Sequence, residues 1–153
     1  MLKYLSALAL VCLVYSGSVA AHTIRPALVT ITFNSDTSFS VEIETNAEAM
    51  LARIGAEHAD TNDSPNAQEY DRLRLLAPVQ LDEQLRAFGP EFAEKLRAEF
   101  DGAPADMQFE RAEIPPVGNP ELARKSRIYL NGTIPLNARQ FTWLYPEEYG
   151  SNV

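Results

Sequence analysis

Residues 26–45 read PALVTITFNSDTSFSVEIET, and this stretch decides the fold class. Val29, Ile31 and Phe33 alternate with Leu28, Thr30 and Thr32. After Asn34-Ser35-Asp36 the alternation resumes, with Phe39, Val41 and Ile43 on one side and Ser40, Glu42 and Glu44 on the other. Two period-2 runs around a short polar turn predict a β-hairpin with one buried face.

Downstream the period changes. Thr45-Asn46-Ala47-Glu48 fits a capping box, Ala49, Met50, Leu51 and Ile54 follow at helical spacing, and Gly55 is the expected stop. Ser64-Pro65 predicts the cap and first turn of a second helix carrying Ala67, Tyr70, Leu73 and Leu76. A third helix is expected over residues 79–88, broken at Gly89-Pro90. Pro90 would open a fourth, with Phe92, Leu96 and Phe100 on one stripe and Asp101-Gly102 closing it. Strand patterns return at residues 107–114, with a bulge near Ala112, then at 126–134 and 140–145. The expected fold is a β-rich α+β arrangement: an antiparallel sheet or β-sandwich with a helical insert of three to four short helices. The strands fall at about 26–45 and 106–145, and the insert at about 46–101.

Residues 1–21 form an address. Lys3 precedes an apolar run over residues 5–15, and Ser16, Gly17, Ser18, Ala20 and Ala21 follow. This is the layout of a signal peptide, with cleavage after Ala20 or after Ala21, and residues 22–153 form one exported domain. The only cysteine, Cys12, lies inside the apolar run, so the mature protein carries no disulfide and no thiolate site. Loss of Lys3 moves the formal charge from −8 to −9. That acidity excludes a nucleic-acid groove and a docking surface for anionic lipid. The last residues, 149–153, look like the start of a further strand, which suggests a longer parent.

The chemistry available is limited. His22 and His58 are the only histidines, and no G-x-S-x-G, P-loop, dinucleotide-binding glycine run or H-E-x-x-H is present. An enzyme has no positive support. A carboxylate hydrolase would need two acids in a cleft, and the adjacent Glu147 and Glu148 would point to opposite faces of a strand. His22 is the most informative residue. With its own amine, or with the amine of Ala21, it offers nitrogen ligands suited to Ni(II) or Cu(II). The loop at residues 57–65 adds His58, Asp60 and Asp63, the expected metal ligands alongside His22. Capping of the following helix explains the same acids without any metal. A calcium loop is disfavoured because Pro65 stands where glycine is needed. Arg25 could hold one of the loop acids. Trp143 and Tyr145 read as core rather than as a ligand platform, and Asn62-Asp63-Ser64 and Asn131-Gly132-Thr133 match the glycosylation sequon.

Four segments share one resemblance: A-H-T-I-R-P-A (21–27), D-T-N-D-S-P-N-A-Q-E-Y-D-R-L-R (60–74), R-A-F (86–88) and P-P-V-G-N-P (115–120). Together, behind a signal peptide, they resemble the exported N-terminal region of HupE/UreJ family membrane proteins. The resemblance implies a periplasmic domain followed by transmembrane helices, and a role in nickel supply to hydrogenase or urease systems. Residues 22–153 contain no transmembrane segment, so they would act for a membrane protein or for a missing C-terminal transmembrane region. The expected role is non-enzymatic: capture or hand-over of nickel or copper. The alternative is a metal-free periplasmic module that docks on a membrane protein.

Overall fold

The computed structural model describes residues 25–58 and 60–153. The hairpin opens the fold as expected: β1 (Leu28–Phe33) pairs antiparallel with β2 (Ser38–Thr45), Val29 facing Ile43 and Phe33 facing Phe39. Three helices follow among the described residues: α1 (Ala47–Leu51), α2 (Ala67–Leu73) and α3 (Pro78–Lys95). Then come β3 (Arg97–Phe100), β4 (Ala103–Pro104), β5 (Met107–Glu113), β6 (Ser126–Thr133) and β7 (Phe141–Leu144).

The strands form two antiparallel sheets, ordered β1-β2-β6-β5 and β4-β3-β7. The fold is therefore mixed α+β with strands predominating. The principal core takes the inward residues of β2 (Phe39, Val41, Ile43) and β6 (Ile128, Leu130). Leu85 and Phe92 of α3, Phe100 of β3, and Tyr145 and Tyr149 complete it. Phe39 joins the two sheets, with its ring centroid 5.5 Å from Phe100, 5.9 Å from Phe141 and 6.4 Å from Phe33. A smaller cluster of Ala49, Ile54, Tyr70, Leu73 and Leu81 holds α1 and α2 against the start of α3.

Several boundaries differ from expectation. The third and fourth helices are one 18-residue helix that runs through Gly89-Pro90. Pro90 lies on the exposed side, so the carbonyl of Arg86 that it leaves unbonded belongs to an exposed turn. Gly89 faces the sheet, where a Cβ would lie 2.6 Å from Cγ of Phe109. Here glycine marks a close helix–sheet approach rather than a break. Phe100 belongs to β3, so strand begins inside the expected helical insert. Asp101-Gly102 turns β3 into β4, both residues having positive φ (50° and 82°), as a two-residue hairpin turn requires.

The first helix is capped by Asn46, whose side chain accepts from the N–H of Ala49 at 3.1 Å, and not by a Thr45–Glu48 box. Its left-handed terminal position is Arg53 (φ 55°) rather than Gly55. The α2 helix starts at Ala67, two residues after Pro65, and Ser64 Oγ accepts from the N–H of Asn66 at 3.2 Å. The irregularity in β5 falls between Phe109 and Arg111, ahead of Ala112.

Candidate functional site

The loop that carries the expected ligands leaves α1 and meets the C-terminal segment. Gly55 is buried, a Cβ there would lie 3.1 Å from the carbonyl oxygen of Glu147, and the N–H of Ala56 donates to that carbonyl at 3.1 Å. The chain arrives at the same place from the other side: the N–H of Ala27 donates to the carbonyl of Ser151 at 2.8 Å. Residues 147–151 thus tie together the start of the described chain and the His58 loop.

Within the loop, Nε2 of half-buried His58 lies 3.2 Å from Oε1 of Glu57. Asp60 caps a short 3-10 turn (Thr61–Asp63), its Oδ1 accepting from the N–H of Asn62 at 2.9 Å. Asp63 is exposed within that turn. Among the described residues, no three His, Cys, Asp or Glu side chains come together as a metal-binding group. His58 and Glu57 supply two donors, and Asp60 is engaged as a cap. His22 and residues 1–21, with Cys12, lie outside the described residues. Arg25 is exposed.

Glu147 and Glu148 sit in a 3-10 turn (Glu147–Tyr149), not on a strand, and Oε1 of Glu148 meets Nζ of Lys95 at 3.1 Å. Tyr145 and Trp143 pack with the principal core, as their pattern indicates. Burial raises the Tyr145 hydroxyl well above its ordinary pKa and pushes Tyr149 up to about 12.

Two arrangements carried no separate signal in the sequence. On the outer face of the larger sheet, the guanidinium of Arg111 lies 3.7 Å from the ring centroid of Tyr129 and 2.5 Å from Glu113. Arg127 stands 3.4 Å from Glu42 and from Glu44, and Lys125 stands 2.9 Å from Glu44. Glu44, Glu113, Lys125 and Arg127 line an open hollow of about 440 Å³ with Ile114 and Pro115. Alternation along β2, β5 and β6 predicts an outward polar face but not which charges pair across it.

The second arrangement is buried. Arg124 Nε donates to Oε1 of Glu48 at 2.7 Å, with side-chain exposures of 7% and 1%. Its Nη1 donates to the carbonyls of Leu76 (3.2 Å) and Pro115 (3.3 Å). Burial pushes the Glu48 carboxyl above its ordinary range, and the backbone and Arg124 offset only part of that. This pair pins the proline-rich loop between β5 and β6 onto the helical layer.

No protein-family model, no curated protein and no solved structure matches the chain.

Proposed function

We propose that the chain is the exported, extracytoplasmic domain of a HupE/UreJ-type protein and that it acts without catalysis. It captures or hands over a divalent metal, nickel before copper, for a membrane partner. The observation that carries this reading is the convergence at residues 147–151. Ala27 and Ala56 both hydrogen-bond to that one stretch. His22 is five residues before Ala27, a span of at most about 18 Å, and in this reading it folds back to His58. His58 and Glu57 then supply imidazole and carboxylate, and His22 supplies imidazole and the neighbouring amine, a nitrogen-rich set suited to Ni(II) or Cu(II). Asp63 can join without disturbing a cap, whereas recruiting Asp60 gives up its bond to Asn62.

Equilibrium dialysis of the exported protein against Ni(II) tests the reading. His22→Ala and His58→Ala should each weaken binding at least about tenfold, the loss of one ligand, without changing the circular dichroism spectrum. Wild-type affinity in both variants would refute it.

The second reading is a metal-free module that docks on a membrane protein. Such docking would cover exposed apolar side chains such as Leu75, Val79 and Leu122. Retained association with the membrane partner after metal removal would support it.

A further inference from the structure

Gly55 has no conformational reason to be glycine. Among the described residues the glycines with positive φ are Gly102 and Gly150, and the left-handed residue after α1 is Arg53. Gly55 is buried, and the space that a side chain would take is already filled. A Cβ at this position would run into Oε2 of Glu57, with Cδ of the same carboxyl 3.0 Å away. The Glu57 carboxyl therefore lies back over Gly55.

A short turn brings it there. The N–H of His58 donates to the carbonyl of Gly55 at 3.4 Å and closes residues 55–58 into one turn. The N–H of Ala56 donates to the carbonyl of Glu147 at 3.1 Å, so the backbone before Glu57 is fixed as well. With Oε2 over Gly55, Glu57 presents Oε1 to Nε2 of His58 at 3.2 Å. The two side chains are 65% and 21% exposed, so an ion from solution can reach both. Their separation has a chemical meaning. An imidazole nitrogen and a carboxylate oxygen bound to one ion at about 2.0–2.2 Å, about 100° apart, stand about 3.2 Å from each other.

We propose that Gly55 is a positioning residue: the room left by its missing side chain seats Glu57 so that Glu57 Oε1 and His58 Nε2 stand ready as adjacent ligands of one divalent ion. The inference rests on the reading of the chain as a metal-capture domain. It settles what that reading leaves open, namely that His58 ligates through Nε2 and that Glu57 is the carboxylate beside it. The ion takes the place of the hydrogen between the two atoms. The displaced proton passes to water, and the neutral ring keeps its other hydrogen on Nδ1.

A mutant cycle in calorimetric titration with Ni(II) tests this on the exported protein. Gly55→Ala should weaken binding about tenfold, because the atom that yields to the new Cβ is the end of an exposed, flexible side chain. For the same reason its circular dichroism spectrum should match that of wild type. Glu57→Ala, at an exposed position, should weaken binding about as much. The double variant should bind no worse than Glu57→Ala alone, since no carboxyl then remains over residue 55 to be displaced. General damage to the loop would instead weaken the Glu57→Ala protein further. Wild-type affinity in Gly55→Ala or in Glu57→Ala would overturn the proposal and leave metal capture standing. So would a double variant tenfold weaker than Glu57→Ala. A wild type that binds no Ni(II) would refute the metal-capture reading, and this inference with it.

Discussion

Glu48 is the residue at which local pattern and tertiary structure part most clearly. Four positions into a capping signature, it should reach back to the backbone on the surface. Instead it is buried against Arg124, 76 residues away in sequence. Asn46 takes the cap, so the signature marks the helix start correctly while naming the wrong residue. No local rule identifies Arg124 as the partner, because the contact exists only once the loop before β6 closes over α1.

Two outcomes follow at this scale. Arg124→Ala leaves a buried carboxylate unpaired and should cost about 3–5 kcal/mol, measured by urea unfolding. The pH dependence has a definite sign. The folded Glu48 pKa is raised, so the folded state favours the neutral acid. Its stabilising contribution is full below the unfolded carboxyl pKa and is lost as pH rises through the folded value. The melting temperature of wild type should therefore fall relative to that of Glu48→Gln between acid and neutral pH.

At the scale of elements, the strands of the larger sheet and β7 were legible, whereas β3, β4 and the helix ends were not. The alternation of β1, β2, β6 and β7 survives because each buries one face, and a slip by one residue would expose it. The α3 helix was misread as two because Gly-Pro is the strongest local breaker, yet its environment overrides it. Gly89 lets the helix approach Phe109, and Pro90 faces water. Alanine at position 89 tests this directly. In an open helix Gly→Ala stabilises by about 1 kcal/mol. Here the Cβ meets the Phe109 ring, so Gly89→Ala should destabilise by about 1–3 kcal/mol in urea unfolding. Adding Phe109→Leu should recover part of that loss.

The loop at residues 57–65 was legible only as composition. His58, Asp60 and Asp63 are close in sequence, but a helix cap claims Asp60, and Glu57 is the side chain that meets His58. Spacing along a chain does not report which acids the backbone has already engaged.

At the scale of the molecule, Phe39 binds the two sheets into one cooperative unit, because its ring meets Phe33, Phe100 and Phe141 from three other strands. Phe39→Ala should cost about 3–5 kcal/mol and keep a single unfolding transition in near- and far-ultraviolet circular dichroism. The convergence of Ala27 and Ala56 on residues 147–151 is likewise a property of the whole fold. Metal capture there, as proposed, requires His22 to fold back onto His58.

Native mass spectrometry of the exported protein, titrated with Ni(II) and Cu(II), tests this directly. The intact mass should fit a chain beginning at Ala21 or His22. One ion per chain should bind at low micromolar concentration or tighter, and be lost in His22→Ala. A chain that binds no ion, or binds it equally well in His22→Ala, would contradict metal capture at this end of the fold.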